Sequence, residues 1–398
     1  MYSFLTHLTC TNCGETCSAD ELHNLCPRCG KVLSARYDLA GAAATMTREA
    51  LATRPFTLWR YHEVLPIRDP TNVITLDEGG TPLLPLHRYG GSIGLPGLLA
   101  KDEGRNPTCS FKARGLSVAV SRAKELGVTA VAIPSTGNAG AALAAYAARG
   151  GLEAHVFMAR DAPAMVRAEC AAYGAHAALV NGHLDDAGRV ARERSRAQGW
   201  FDISTLREPY RIEGKKTMAY EIVEQLGWSV PDVILYPTGG GTGIIGMWQA
   251  FDEMETMGLI GAARPKIVSV QAEGCAPIVR AFTAGQSDAP AWTDVRTVVS
   301  GLRAPVTIGD YLILRIIRES GGTAVAVSDE AMLETMRAVG RMEGLFVSLE
   351  SAATYVAAEK LLARGFLRGD ERVVAFNTAA GVKHADVLQP DLPVLDSV

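Results

Sequence analysis

No stretch of this 398-residue sequence stays apolar and uncharged for the length a helix needs to cross a bilayer, so no membrane partner is expected. A basic surplus is missing too. Lys and Arg total 39 against 43 Asp and Glu, the formal net charge is -4, and the two signs alternate along the chain. That charge pattern gives no electrostatic footprint for nucleic acid, which is not expected as a partner. The segment from Met1 to Cys10 has no basic n-region, no long apolar core and no small-residue cleavage site, so export is not expected and the cytoplasm is the expected compartment. There is no internal repeat and no low-complexity linker, which excludes a solenoid or a tethered array.

Hydrophobic residues make up 48% of the sequence, enough for full cores, and the length leaves room for more than one domain. Apolar runs at Ala130 to Ile133, Ala154 to Met158, Ala177 to Val180, Val233 to Tyr236, Ile267 to Gln271 and Val373 to Phe376 alternate with helical stretches. This is the α/β pattern of parallel sheets covered by helices on both faces. Ligands of such sheets bind at the carboxyl ends of the strands. A helical arm carrying Arg48 to Arg60 is expected ahead of them.

Four of the eight cysteines fall in two Cys-x-x-Cys pairs, Cys10 with Cys13 and Cys26 with Cys29, with 12 residues between the pairs and a glycine after each, Gly14 and Gly30. Each tight turn aims two thiolates at one point, and two turns close a tetrahedron with no open position. The chemistry is that of a structural zinc ribbon that metal binding folds. Two disulfides are the alternative, and they require an oxidising compartment. Cys17 and His23 are spare and read as unliganded. Cys109, Cys170 and Cys275 are scattered and read as small buried apolar residues.

Lys112 sits in Asn106-Pro107-Thr108-Cys109-Ser110-Phe111-Lys112-Ala113-Arg114-Gly115, just before a long apolar helix. A loop-to-helix junction can hold its amine at a fixed point, and apolar or cationic surroundings would keep the amine nucleophilic, as a Schiff-base lysine requires. A solvated charge at a helix start is the plainer reading. Downstream, Pro134-Ser135-Thr136-Gly137-Asn138-Ala139-Gly140 reads as a strand-to-helix turn whose exposed N–H groups suit a substrate carboxylate, with Asn138 offering an amide to a ring hydroxyl. Gly239, Gly240, Gly241, Thr242 and Gly243 follow the strand at Val233 and precede another helix, a loop able to wrap a phosphate. It lacks the Gly-Lys-Ser or Gly-Lys-Thr ending of a nucleotide loop, so a nucleotide is not expected. After the strand at Val373 comes Thr378, placed to meet a ring nitrogen.

The order of these parts resembles the fold-type II pyridoxal-phosphate enzymes and, among them, the threonine synthases. Leu76-Asp77-Glu78-Gly79-Gly80-Thr81-Pro82-Leu83 resembles the family's entry motif, and Lys101-Asp102-Glu103-Gly104 leads into the lysine loop. Ser135-Thr136-Gly137-Asn138, Glu213-Gly214-Lys215-Lys216-Thr217, the glycine loop and Thr378-x-x-Gly381-Val382-Lys383 follow in the family's order. The resemblance runs from about Thr75 to about Leu388. It implies two three-layer α/β/α lobes with mostly parallel sheets, behind an N-terminal zinc-ribbon-like segment at residues 1–40. The large cofactor-binding lobe would comprise 41–117 and 226–398, and a smaller mobile lobe 118–225.

Pyridoxal 5'-phosphate is the implied cofactor. Lys112 would bond its aldehyde and Asn138 would contact its ring oxygen. The glycine loop would take its phosphate, and Thr378 its pyridine nitrogen. Ser135, Thr136, Gly137 and Lys215 would hold the substrate. The implied reaction converts O-phospho-L-homoserine and water to L-threonine and phosphate by γ-elimination and β-addition in a homodimer. Arg160, Lys215, Lys216 and Lys383 are candidates for the substrate's own phosphate.

Three departures leave the substrate open. Ala113 follows the lysine where many synthases have aspartate, Cys109 stands at a usual glycine position, and the phosphate loop is Gly-Gly-Gly-Thr-Gly rather than the Gly-Asn-Ala-Gly-Asn type. Ser-Phe-Lys-x-Arg-Gly and a triple-glycine loop also resemble threonine and serine dehydratases. The same motifs are compatible with a β-replacement enzyme such as a cysteate synthase, and with an inert cofactor-binding regulator.

Overall fold

The computed structural model describes residues 1–135, 137–182, 184–388 and 392–395. Three short strands open the chain, β1 Leu5–Cys10, β2 Thr16–Ser18 and β3 Leu33–Tyr37, forming an antiparallel sheet in the order β2-β1-β3. The remaining strands are β4 Leu83–Pro85, β5 Leu98–Asp102, β6 Ala130–Pro134, β7 Glu153–Ala159, β8 His176–Val180, β9 Phe201–Asp202, β10 Val233–Pro237, β11 Lys266–Ala272, β12 Thr323–Val327 and β13 Val373–Asn377. They divide into two sheets. One has the order β12-β11-β10-β13-β5-β4, parallel except for the β4–β5 pair at its edge, and the other is parallel throughout in the order β8-β7-β6-β9.

Burial explains why the expected runs became strands. Val-Ile-Leu-Tyr-Pro of β10 is buried at every position, as a central parallel strand between helical layers must be. By contrast β8, at an edge, is largely exposed. Strands β5 and β12 were not expected. Leu98-Leu-Ala-Lys-Asp ends in two ionisable residues, yet Lys101 and Asp102 are buried by tertiary partners that pattern alone does not show. The arm expected over Arg48 to Arg60 is a short helix, Arg48–Ala52, followed by a 3-10 segment, Leu58–Val64.

The four-stranded sheet lies between residues 130 and 202, and the helices Lys112–Glu125 and Tyr210–Gln225 flank it in sequence. These two helices pack backbone to backbone. A Cβ on Gly214 would sit 2.1 Å from the Arg114 carbonyl oxygen, and one on Gly115 would sit 2.8 Å from that of Arg211, so the crossing requires glycine on both sides. The helix carrying Lys112 is thereby locked to the helix carrying Glu213-Gly-Lys-Lys-Thr.

Candidate active site

The C-terminal ends of β6, β10 and β13 converge on a cleft of about 240 Å³. Lys112, the first residue of its helix, contributes to its wall. The segment before it is pinned to the turn after β13. Phe111 N–H donates to the Thr378 carbonyl at 2.9 Å, and Ala380 N–H donates to the Cys109 carbonyl at 3.0 Å. Thr108 and Cys109 both adopt positive φ, 57° and 53°, a conformation that costs energy outside glycine and that the surrounding contacts hold in place.

The Lys112 amine lies 4.3 Å from the Phe111 ring centroid and has no hydrogen bond or ion pair among the described residues. Burial, and then the Arg211 guanidinium, push its pKa down from 10.5 to about 7, while Glu350 pulls the other way. At neutral pH a much larger share of this amine is unprotonated than in an ordinary surface lysine.

Ser135, Gly137 and Asn138 form the second wall. The Ser135 hydroxyl accepts N–H bonds from Gly137 at 3.3 Å and Gly140 at 3.0 Å, shaping the N-terminus of the helix Asn138–Gly150 toward the cleft. Thr136 lies outside the described residues. Gly239, Gly240, Gly241 and Thr242 make the third wall and start the helix Thr242–Thr256. Gly241 has φ +71°, and a Cβ on Gly239 would lie 2.4 Å from the Gly301 carbonyl oxygen, so side chains are excluded by backbone. Gly243 is one step removed, packed on the Tyr236 ring. Thr378 also lines the cleft, at the end of β13.

A family model for pyridoxal-phosphate dependent enzymes matches residues 74–379. The chain belongs to the pyridoxal-phosphate-dependent enzymes. Threonine synthases from Methanocaldococcus jannaschii and Methanosarcina acetivorans are each 37% identical to it, over 95% and 94% of this chain and 93% and 91% of theirs. Among solved structures, maize serine racemase superposes with TM-score 0.67 at 22% identity, over 77% of this chain and 90% of that one, a likeness of fold.

The residues present fit the cofactor of such an enzyme. A low-pKa amine without a partner faces the cleft, a side-chain-free loop offers N–H groups to a phosphate, and the Thr378 hydroxyl has no hydrogen bond among the described residues. Lys112, Asn138, the Gly239–Gly243 loop and Thr378 are the groups that would hold it.

The four candidate cations for the substrate's phosphate lie off the cleft wall. Lys215 is fully buried and stands behind the wall, donating to the Phe111 carbonyl. Its amine lies over the same ring as Lys112, at 4.3 Å. Burial first, and then the nearby charges of Lys112 and Arg211, push its pKa well below the ordinary value. Lys216 is buried between Glu213 at 2.6 Å and Glu253 at 2.8 Å, and Lys383 pairs with Glu169. Arg160 is exposed and reaches Asn181. None of the four lines the cleft.

The arginines that matter went unmarked in the sequence. Arg303 lies on the cleft wall and pairs with Asp161 at 2.8 Å. Arg211, 1% exposed, donates to the Ile203 carbonyl at 2.9 Å and to Thr205 at 3.3 Å, while its Nε and Nη2 have no hydrogen-bond partner among the described residues. Thr205 lines the cleft. Glu350, also on the wall, was likewise not expected.

At the N-terminus, the sulfurs of Cys10, Cys13, Cys26 and Cys29 all lie within 4.8 Å of one another. Each pair sits on a turn closed by the glycine after it, with Gly14 N–H donating to the Cys10 carbonyl and Gly30 N–H to that of Cys26. None of the eight cysteines is in a disulfide, and Cys17 stands outside the quartet.

Proposed function

We propose that this enzyme is a threonine synthase that converts O-phospho-L-homoserine and water to L-threonine and phosphate. The observation that carries the reading is the likeness to threonine synthases over nearly the whole chain, joined to a cleft that presents a lysine of lowered pKa and, on its wall, Arg303. When bound, pyridoxal phosphate supplies an electron sink next to the substrate's α-carbon.

The chain's own residues supply the rest. Lys112, free and neutral, takes a proton from the α-carbon and can carry it along one face of the substrate. Ser135, Gly137 and Asn138, at a helix N-terminus, suit the substrate carboxylate, and Thr136 stands between them in sequence. Arg303 on the cleft wall favours an anionic leaving group, and Arg211 behind Thr205 adds positive charge to that side of the site. The segment 118–225 is proposed to act as the mobile lobe, the active form to be a homodimer, and the compartment to be the cytoplasm, in keeping with eight free thiols.

Incubation of the loaded enzyme with O-phospho-L-homoserine should release phosphate and threonine in equal amounts. Keto acid from L-threonine or L-serine, with phosphohomoserine untouched, would make it a dehydratase instead.

The four-cysteine cluster is proposed to hold one structural zinc. The ribbon is tied to the enzyme body through Tyr37 Oη donating to Glu213 at 2.8 Å and Ser34 Oγ donating to Gln249 at 2.9 Å. Metal analysis should give about one zinc per chain. Cys13→Ser with Cys26→Ser should abolish it and strip amide-exchange protection from residues 5–37. A metal-free protein that keeps that protection would refute the assignment.

A further inference from the structure

Glu350 is the only carboxylate on the wall of the cleft among the described residues. It sits in the first turn of the helix Leu349–Ala363 and is 6% exposed. One of its oxygens accepts the Gly301 N–H at 3.0 Å, and the other meets His384 Nε2 at 2.8 Å. His384 is equally buried, in the segment Gly381–Val387 that continues the Thr378 turn. Burying a carboxylate at this spot costs desolvation that an amide or apolar side chain would avoid. The two fixed contacts hold its charge in one place, in the lining of the cleft that also contains Lys112.

Two charges act on the Lys112 amine, and they oppose each other: Arg211 disfavours its protonated form and Glu350 favours it. The other cations nearby are already offset, Arg303 by Asp161 at 2.8 Å and Arg211 in part by Glu208 and Asp202, while Lys215 is held well below its ordinary pKa. Glu350 is the only carboxylate lining the cleft among the described residues, with His384 behind it. A lysine that accepts a proton from substrate becomes an ammonium in a buried site beside Arg211, which disfavours the transfer unless an anion faces it.

We propose that Glu350 is a positioning residue for proton transfer: held by His384 and the Gly301 amide, it stabilises the Lys112 amine while that amine carries the substrate's proton. The proton stays on Lys112 until it is returned, and Glu350 neither takes nor gives one. The proposal rests on Lys112 being the working amine. It does not depend on which substrate is used.

Competitive acetylation tests it. The cofactor-free, full-length protein is labelled with trace acetic anhydride across a pH series, and labelling is read at each lysine by peptide mass spectrometry. Glu350→Gln keeps an oxygen for the Gly301 amide but removes the charge, so the Lys112 midpoint should fall by about half a pH unit or more. His384→Asn leaves the carboxylate less neutralised, so the midpoint should rise. Shifts in opposite directions support an electrostatic role, whereas shifts in one direction, or none, overturn it. In the loaded enzyme Glu350→Gln should lower kcat about tenfold with KM changed less than about threefold, and Glu350→Asp should recover part of the loss. An unchanged kcat also overturns the proposal. Should Glu350→Gln fail to fold, the direction of the His384→Asn shift decides. Should the protein not act on phosphohomoserine, the labelling midpoints still report on Glu350.

Discussion

Lys112→Ala is expected to reduce kcat by about 10³-fold or more while leaving the fold intact. The amine makes no hydrogen bond or ion pair among the described residues that its loss would break, and it sits at the N-terminal end of a helix where alanine is well tolerated. Steady-state assay together with thermal unfolding separates the two effects. A variant that loses activity only in proportion to lost folded protein would argue against a chemical role.

The pH dependence of stability gives a second reading of the same group. Its folded-state pKa of about 7 lies below the ordinary 10.5, so between these values the unfolded chain binds a proton that the folded, cofactor-free chain does not. Stability from this group therefore rises with pH through that window and is lowest below about pH 7. In Lys112→Ala that part of the slope should vanish from urea midpoints measured across the same range.

What the sequence disclosed and what it hid divide along a physical line. The glycine loop, the Ser135 turn and the cysteine pairs were legible because each needs a local backbone form, and a few adjacent small residues or a fixed Cys-x-x-Cys spacing encode it. Strands β6, β7, β10, β11 and β13 were legible because burial on both faces demands unbroken apolar runs. Arg303, Arg211 and Glu350 were not. Arg303 and Glu350 are fixed at the cleft by contacts distant in sequence, with Asp161 and His384, and Arg211 stands behind the wall on Thr205. Arg211 carried one usable signal, standing two residues before Glu213-Gly-Lys-Lys-Thr. The burial of Lys215 was not legible because a motif names residues without saying which way a helix turns them. On the helix Tyr210–Gln225 the glycine at 214 faces the Lys112 helix, and Lys215 follows it behind the wall.

The largest expected effect on stability lies two residues beyond Lys112. Arg114, Glu103, Glu221 and Lys101 are all fully buried. Arg114 donates to Glu103 at 2.6 and 2.8 Å and to Glu221 at 2.6 and 2.7 Å, and Lys101 donates to Glu221 at 2.7 Å. Glu221 also accepts the Gly80 N–H at 2.9 Å, so the quartet ties the entry motif, β5, the Lys112 helix and the helix Tyr210–Gln225 to one point. Two carboxylates and two cations balance there, and removing one cation leaves a buried anion uncompensated. Arg114→Ala should therefore cost about 3–5 kcal/mol. Arg114→Lys should recover only part, since an ammonium has three donors and cannot make the paired bonds that the guanidinium makes to both Glu103 and Glu221. Burial raises the Glu221 pKa, but the charges of Arg114 and Lys101 outweigh it and bring the group to about 2, below its ordinary 4.5. Its stabilising contribution is thus present above about pH 4.5 and lost as pH falls toward 2. In Arg114→Ala that acid-side loss should begin at higher pH, and kcat should fall with Lys112 chemically intact, because the first turn of its helix has lost its anchor. Denaturant unfolding that is unchanged in Arg114→Ala would mean the quartet is solvated in solution and anchors nothing.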